Sequence, residues 1–325
     1  MNTVLGPVPA GQLGLTLVHE HLMLGWPGSE TDSTAILDRR DATRVCTERV
    51  QELHDLGVRT IVDPSPMELG RDPELAAEVS SASGVHIVIA TGLYNQEVGI
   101  PYYYRERSID ELAEIFVMEL TEGIGSTGIR AGVVKVAAGG TVAVKGEFSE
   151  ARIGDQEERA HRAAGRASVE TGVPILTHNN ELAPAGVTQA KIFLEEGVSP
   201  ERVIIGHAGA VGDLDYYQEV LAAGMSLGFD RFGVESLCPD SKRIASLVGL
   251  ANSGHLDRLF ISTDAVMYWR GRPSPFLEKK VRPRSPHWES RHLLVRVVPQ
   301  LRQAGVSDDD IRTVLTDNPR RLFGG

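Results

Sequence analysis

The sequence predicts an α/β protein of the (β/α)8 TIM barrel class, and three observations carry that prediction. Short apolar segments rich in Val, Ile and Leu alternate along the chain with longer segments of helical periodicity. There are eight of each, and several helical segments are followed by a glycine that can turn the chain into the next strand. The chain has 325 residues, which is a length typical of eight βα units closed into one barrel.

The predicted strands and helices follow one another along the whole chain. We expect the strands at residues 14–20, 59–64, 86–92, 131–137, 174–178, 202–207, 225–230 and 258–264. We expect the helices at residues 40–56, 73–82, 108–122, 155–171, 186–197, 213–223, 239–252 and 290–304. Because no Gly/Ser/Pro-rich linker separates them, residues 1–325 are expected to form one domain. The segment 307–323 is expected to form a capped helix and a short final helix in the outer layer.

Composition and charge narrow the classes of function. The formal net charge is −11, and no block rich in Lys and Arg stands out, so nucleic acid is not an expected ligand. The sequence shows no targeting signal and no segment apolar enough to span a membrane, so no membrane partner is expected. Cys46 and Cys238 are the only cysteines, which excludes a disulfide framework and favours a reducing, cytoplasmic environment.

Polar residues interrupt or end five of the predicted strands. They are His19, His21, Lys135, His178, His207 and Asp264. Each has an ordinary alternative, since a histidine at a strand end can cap a helix and an aspartate after a strand is a common N-cap. In a (β/α)8 barrel, however, the carboxyl ends of all strands open onto one face. We therefore expect the six side chains to converge on one site.

The segment "LVHEHL" at residues 17–22 places two histidines one residue apart. Residues i and i+2 of a strand point to the same face, so His19 and His21 would project side by side, as two ligands of one metal ion do, while Glu20 points away. Taken alone, the pair fits two hydrogen-bonded histidines near a strand end equally well. Four imidazoles and one carboxylate exceed the roughly three protein ligands of a single catalytic metal, so the full set favours two ions.

Lys135 lies inside the apolar segment "AGVVKVA", where an unpaired ammonium group would be costly. One alternative is a lysine with a depressed pKa that acts as a base or forms a Schiff base. A second is an ion pair with a carboxylate such as Asp264. A third is carboxylation by carbon dioxide, which gives an anionic carbamate whose two oxygens can bridge two metals.

Five segments, "VHEH", "GIRAGVVKVA", "PILTH", "RVIIGH" and "ISTD", resemble the phosphotriesterase family of the amidohydrolase superfamily, and the resemblance extends from residue 4 to "DNPRRLF" at the end of the chain. It implies an amidohydrolase-like barrel with two divalent ions, for which zinc, cobalt, iron and manganese all suit the ligand types. It also implies that carbon dioxide carboxylates Lys135, which then bridges the ions.

The resemblance further implies how the ligands are divided. His19, His21 and Asp264 would hold the more buried ion, and His178 and His207 the more exposed one. Asp264 and Lys135 would also take part in catalysis.

Within this family the sequence is most similar to the phosphotriesterase-like lactonases. The segments "ATGLYN" and "GFDRFGV" match those in which the lactonases carry a tyrosine and an arginine, here Tyr94 and Arg231. The alternative for Tyr94 is a core aromatic residue, and for Arg231 an ion pair with Asp230 or Glu235. The loop at 265–289 departs from the family by its many charges and prolines, which leaves the identity of the substrate open.

The resemblance implies a hydrolase that opens acyl-homoserine lactones or aliphatic γ- and δ-lactones, with some phosphotriesterase or esterase activity, and that forms a homodimer. One alternative is a dedicated organophosphate triesterase or another carboxylic or phosphate ester hydrolase. A non-enzymatic alternative is a vestigial barrel that only binds metal or a small ligand.

The lactone itself would bind beside Tyr94 and Arg231, and its alkyl tail would follow an apolar wall. That wall is expected to consist of Leu227, Phe229, Val266, Met267 and Trp269. A neighbouring cationic stretch would instead favour an anionic substrate. It contains Arg270, Arg272, Lys279 and Lys280.

Overall fold

The computed structural model of the protein describes residues 1–139 and 153–324. At its centre is a sheet of eight parallel strands whose order in the sheet is their order along the chain. These strands are β1 (Leu15–Leu17), β2 (Val58–Asp63), β3 (His86–Leu93), β4 (Val133–Ala137), β5 (Ile175–His178), β6 (Val203–Ile205), β7 (Ser226–Phe229) and β8 (Leu259–Ile261). The eight predicted strands and the predicted barrel class are confirmed.

The barrel closes between β8 and β1 through contacts beyond the ends of both strands. The backbone N–H of Asp264 donates to the carbonyl oxygen of His19 at 3.0 Å. The following segments, His21–Leu24 and Val266–Trp269, then pair in parallel as a separate two-stranded sheet. Near the start of the chain, Asn2–Thr3 pairs with Gly6–Pro7 in an antiparallel hairpin.

A helix follows each strand. The main helices are α1 (Arg39–Asp55), α2 (Pro73–Ser83), α3 (Ile109–Thr121), α4 (Asp155–Thr171), α5 (Gly186–Glu195), α6 (Leu214–Ala222), α7 (Asp240–Leu250) and α8 (Val298–Gln303). Shorter helices lie at Tyr102–Arg105, Asp308–Arg312 and Asn318–Gly324. Single helical turns occupy Ala10–Gln12, Ser29–Thr31, Pro200–Arg202, Ala208–Ala210, Ala251–His255, Leu256–Arg258, Leu277–Val281, Arg282–Arg284, Leu293–Val297 and Thr313–Asp317.

Local sequence explains where the helices begin. Before α2, the Asp72 carboxylate accepts a hydrogen bond from the backbone N–H of Leu75, which satisfies one of the free donors of the first turn. Before α3, Ser108 and Glu111 form a reciprocal capping box. None of the helices in residues 1–139 and 153–324 is both long and apolar enough to cross a membrane.

Three strands end two or three residues earlier than predicted, before the site residues that follow them. β1, β6 and β8 stop before His19, His207 and Asp264, respectively. His207 and Asp264 have φ angles of 56° and 55°, in the left-handed region that only a few per cent of non-glycine residues adopt. The chain therefore leaves the strand conformation in order to turn these side chains into the site.

Two apolar layers hold the barrel together. The outer layer lies between the strands and the helices and contains residues such as Phe116, Phe193 and Leu247. The inner layer, here called the barrel-interior cluster, consists of Leu13, Val18, Val62, Val88, Ala90, Val133, Leu176, Ile204, Phe260, Leu322 and Phe323. The last two belong to the final helix, so the expected outer-layer position is wrong for the end of the chain.

Candidate metal centre and active site

The carboxyl ends of the strands open onto one cleft of about 560 Å³, including its opening to solvent. The cleft is lined by all nine residues that the sequence predicted for the site: His19, His21, Tyr94, Lys135, His178, His207, Arg231, Asp264 and Trp269. The six polar side chains that were expected to converge therefore lie on one cleft.

The two histidines of "LVHEHL" flank a break in the chain. β1 ends at Leu17 and the next extended segment begins at His21, so the expectation that one strand carries both histidines is wrong. Their rings nevertheless lie 5.4 Å apart on the same cleft. Glu20 points away, as expected, and its buried carboxylate accepts hydrogen bonds from Ser262 Oγ and from the Thr263 backbone at 2.8 and 2.9 Å.

Asp264 lies between His19 and His21 at the inner end of the cleft. Its Oδ1 atom is 3.2 Å from His19 Nε2 and 3.0 Å from His21 Nε2. The other ring nitrogen of His21, Nδ1, contacts Ser65 Oγ at 2.8 Å, and this hydroxyl donates to Asp63 Oδ1 at 2.6 Å. Both Nε2 atoms therefore face the cleft, together with one carboxylate oxygen.

Asp230 joins the two halves of the site and was missed by the sequence analysis as a site residue. Its Oδ2 atom accepts from His19 Nδ1 at 2.8 Å, and its Oδ1 atom accepts from His207 Nδ1 at 2.9 Å. The backbone N–H of His207 donates to the same Oδ1 atom at 2.8 Å. One buried carboxylate thus orients two imidazoles so that their Nε2 atoms face the cleft.

His178 and His207 form the outer end of the ligand set. Nδ1 of His178 is 2.9 Å from Nε2 of His207, and the Tyr94 hydroxyl is 3.1 Å from the same His178 nitrogen. Behind His178, the Gln189 amide donates to the His178 carbonyl oxygen at 3.1 Å and to His161 Nε2 at 2.9 Å. His161 belongs to α4 and Gln189 to α5, so the pattern of polar residues in the predicted strands did not identify them.

Lys135 reaches the centre of the cleft from β4 with only 1% of its surface exposed. Its Nζ atom donates to the Thr177 carbonyl oxygen at 3.1 Å and lies 3.4 Å from His19 Nε2. The ion pair with Asp264 that was one alternative is not formed, and no other ion pair of Lys135 occurs within residues 1–139 and 153–324. Burial lowers the pKa of Lys135 to about 8, which favours the neutral amine that can react with carbon dioxide.

A close approach between strands fixes the position of Lys135. Gly92 in β3 has a φ of 113°, and a Cβ atom there would lie 1.9 Å from the carbonyl oxygen of Lys135. Only glycine fits at this point. The backbone of Lys135 can therefore pack directly against β3 while its side chain enters the cleft.

Arg231 forms ion pairs inside the cleft, but with neither of the expected partners, Asp230 and Glu235. Its Nε atom donates to Asp264 Oδ2 at 2.8 Å, and its NH1 atom lies 3.4 Å from Glu181 Oε1. Glu181 follows β5 in a loop, and the sequence analysis did not identify it. Arg231 is thus held between two carboxylates.

The apolar wall differs in part from the expected one. Val266 and Trp269 line the cleft as predicted. Leu227, Phe229 and Met267 do not, because they are buried in the outer layer between strands and helices. Their places are taken by residues from other segments: Leu24, Trp26, Pro64, Pro66, Leu69, Leu277 and Trp288.

The cationic stretch of the loop at 265–289 does not line the cleft. None of Arg270, Arg272, Lys279 and Lys280 is among the described residues that line it. Arg272, for example, donates to the Thr34 hydroxyl on the exposed surface. The lining of the cleft therefore lacks these charges, contrary to the expectation for an anionic substrate.

Burial and neighbouring charges set the protonation states of the donors. Burial, with the Arg231 charge, lowers the pKa of His207 to about 3, and burial together with His207 holds the pKa of His178 well below its usual value. Burial would raise the pKa of Asp264, but His19 and Arg231 outweigh it and hold that pKa well below the usual value. Neutral imidazoles and an ionised carboxylate are the forms that bind metals.

His21 is the exception among the imidazoles. Burial would lower its pKa, but contacts with Asp264 and Asp63 outweigh this and raise the pKa to about 9. A metal ion at its Nε2 atom would have to displace a proton.

The donor set fits divalent metal ions. One ligand atom from each of His19, His207 and Asp264 lies within 4.8 Å of the other two. Imidazole nitrogens and carboxylate oxygens are usual ligands of zinc and other first-row ions. The second ring nitrogens of His19 and His207 are both hydrogen-bonded to the Asp230 carboxylate, as is usual for metal-bound histidines. These residues could therefore hold metal in the cleft.

Comparisons with known proteins agree with this geometry. Residues 1–323 match the model of the phosphotriesterase family. An aryldialkylphosphatase of Saccharolobus solfataricus is 33% identical, over 97% of this chain and 96% of the relative. A phospho-furanose lactonase of Mycoplasmopsis synoviae is 27% identical, over 99% of this chain and 91% of the relative.

Solved structures give the same result. The crystal structure of a mutant PTE-like lactonase from Deinococcus radiodurans is 36% identical in sequence to this chain. It superposes with a TM-score of 0.91 over 99% of both chains.

Proposed function

The chain belongs to the phosphotriesterase family, and from that premise we propose that it is a binuclear-metal-dependent hydrolase that opens lactones. Its expected substrates are acyl-homoserine lactones or aliphatic γ- and δ-lactones, with weaker activity on phosphotriesters and other esters. One observation carries the proposal: five strands deliver four imidazoles, one carboxylate and a buried lysine to a single cleft whose walls are otherwise largely apolar.

We assign the metal ligands in two groups. His19, His21 and Asp264 would hold the inner ion, which is supported by the position of Asp264 Oδ1 between the two Nε2 atoms. His178 and His207 would hold the outer ion, which is supported by their facing nitrogens at 2.9 Å. A carbamate formed from Lys135 and carbon dioxide would bridge the two ions. Its place in the middle of the set supports that role.

Two bound divalent ions would polarise the lactone carbonyl and lower the pKa of a shared water. Asp264 is placed to accept the proton that this water loses. Once the water oxygen had added to the carbonyl carbon, the ring carbon–oxygen bond would break, and Asp264 would pass the proton it holds to the departing ring oxygen. The product is a hydroxy acid, and the Asp264 carboxylate is regenerated.

The remaining cleft residues bind and orient the substrate. Tyr94 places its hydroxyl beside His178, 3.1 Å from Nδ1, where it can contact a lactone ring at the centre. Arg231 lies on the Asp264 side of the cleft, and Trp269 forms part of the wall. The apolar wall would hold an alkyl tail and exclude water, and each buried methylene would add up to about 0.8 kcal/mol of binding.

A substrate panel tests the proposal. Purified enzyme should hydrolyse long-tailed lactones with a higher kcat/KM than unsubstituted lactones, and lactones with a higher kcat/KM than the phosphotriester paraoxon. Activity should be lost on chelation and return with zinc, cobalt, iron or manganese. A kcat/KM for paraoxon above that of every lactone would instead support the dedicated organophosphate triesterase. Two bound metals with no hydrolysis of any ester would support the vestigial barrel.

We extend the proposal to the protein's state in the cell. We propose a cytoplasmic homodimer in which residues 1–325 form one domain; the two cysteines are both buried and unpaired, which fits a reducing compartment. Light scattering should give twice the chain mass of 35.2 kDa, and the mass of a single chain would exclude the dimer. One cooperative unfolding transition is expected for one domain.

A further inference from the structure

Arg231 is the cation of the cleft that a substrate could reach, and it is already enclosed by carboxylates. Its Nε atom is 2.8 Å from Asp264 Oδ2, and its NH1 atom is 3.4 Å from Glu181 Oε1. The Arg231 side chain is 18% exposed, whereas that of Glu181 is 3% exposed. Because Asp264 directs Oδ1 towards the histidines and Oδ2 towards Arg231, its pairing with Arg231 is compatible with a ligand role.

Glu181 directs its charge at Arg231. Its Oε1 atom is buried and accepts no hydrogen bond within the described residues, so the ion pair with Arg231 is the contact that compensates it. Arg243 is the next cation near Glu181, but its guanidinium group donates to Asp240 and to backbone carbonyl oxygens. A buried carboxylate without a partner would be strongly destabilising. Glu181, which does not itself line the cleft, is therefore held as a partner of Arg231.

Apart from the proposed metal centre, the described lining of the cleft offers no other cation for a charged substrate. Among the described residues that line it, Lys135 and Arg231 are the only lysine or arginine side chains, and Lys135 is assigned to the metal centre. The surrounding walls come from apolar residues such as Trp26, Leu69 and Trp288. An anionic group on the substrate would therefore meet apolar walls and an arginine that is already neutralised.

We propose that Glu181 is a specificity-determining residue that neutralises Arg231 and so restricts the cleft to uncharged lactones, and that removal of its charge opens the cleft to lactones bearing a carboxylate. This inference rests on the proposed lactonase function. It assigns Glu181 a role in substrate choice and not in the chemical step, since Glu181 is not among the residues that line the cleft.

The test uses a matched pair of substrates on the metal-loaded enzyme. One is a γ-lactone whose side chain ends in a carboxylate, and the other is the same lactone ending in the isosteric carboxamide. The wild-type enzyme should favour the carboxamide by at least about 100-fold in kcat/KM, because the buried anion finds no free partner. In Glu181→Gln, this preference should fall by about tenfold or more, mainly through a lower KM for the carboxylate.

Two control variants identify the source of the change. Glu119→Gln makes the same substitution at another buried glutamate that also pairs with an arginine, Arg71, but neither of these residues lines the cleft. Its preference between the two lactones should match that of the wild type. The double variant Glu181→Gln/Arg231→Gln should lose the gain, because no cation remains to bind the carboxylate. Glu181→Leu removes the charge with a different side chain if the glutamine variant unfolds.

The outcomes separate this inference from the proposed function. Hydrolysis of the carboxamide lactone with an unchanged preference in both Glu181 variants would overturn the role of Glu181 alone. A wild-type enzyme that accepts both lactones equally would overturn it as well. Failure of the wild-type enzyme to open the carboxamide or any other lactone would overturn the proposed function, and the role of Glu181 with it.

Discussion

The interior of the barrel has two halves that differ in chemistry although they are built from the same strands. The half near the strand N-termini is the apolar barrel-interior cluster, while the half near the carboxyl ends is the polar cleft. On β4, Val133 faces the cluster and Lys135 faces the cleft. On β5, Leu176 and His178 divide in the same way. Because residues two apart share a strand face, each of these two strands supplies one residue for the apolar cluster and one for the site.

The two halves also differ in how much strain and buried charge they carry. Within the described residues, the non-glycine positions with positive φ are His207 and Asp264, and both belong to the cleft. Such backbone conformations cost of order 1–3 kcal/mol each. The cleft also holds buried ionisable groups, whereas the cluster holds only aliphatic and aromatic side chains. The barrel-interior cluster therefore stabilises the fold, whereas the strained backbone and buried charges of the cleft destabilise it.

The largest expected effect tests how β4 is divided between the barrel-interior cluster and the cleft. Lys135→Ala should lose most of its bound metal and at least about 100-fold in activity, which is more than the loss typical of an outer-shell residue. Metal content by elemental analysis and kcat/KM report both losses. Bicarbonate or propionate should restore part of each, because a free carboxylate can take the place of the carbamate.

The matched control is Val133→Ala, two residues earlier on the same strand face. It should lower the free energy of unfolding and keep both metals. Full metal content and activity of Lys135→Ala without any added acid would refute the bridging role of Lys135.

A second pair of variants sharpens the comparison on β5. Leu176→Ala should lower the free energy of unfolding by about 2–5 kcal/mol, because it leaves a cavity in the barrel-interior cluster. His178→Ala should instead reduce metal content and activity with a much smaller loss of stability in the metal-free protein. Denaturant unfolding of the metal-free forms, with metal analysis of the folded forms, measures both. Equal stability losses in the two variants would show that the halves are not separable.

The smallest expected effect concerns Asp230, the residue directly after β7. Asp230→Asn replaces one acceptor oxygen with a donor, so that His19 or His207 must turn to the tautomer that protonates Nε2, the atom facing the cleft. Metal affinity, measured by titration with a competing chelator, should fall by about 10- to 100-fold. Ser226→Ala lies on the same face of β7 at its other end and should leave that affinity unchanged. Wild-type affinity in Asp230→Asn would exclude a role for this carboxylate in orienting the ligands.

The alternation of side chains along β7 carried information about the barrel interior that the sequence analysis did not use. Every second residue from Ser226 in β7 to Asp230 just after it lies on one face. A Cβ atom at Gly228 would contact Asp230 Oδ2 and Gly206, which places this face on the interior of the barrel. Leu227 and Phe229 occupy the other face and pack in the outer layer. The same alternation could therefore have identified Asp230 and excluded the two apolar residues from the substrate wall.

The sequence by itself determined the eight strands, the helices and the six polar residues at the strand ends, because both periodicity and the direction of parallel strands are local properties. The tertiary structure decided which groups pair. Arg231 contacts Asp264 and Glu181 instead of its sequence neighbours, and Trp288 enters the cleft from a distant loop. The reason is physical: a strand fixes its side-chain directions every two residues, whereas the path of a loop depends on what it packs against, and no local pattern encodes those contacts.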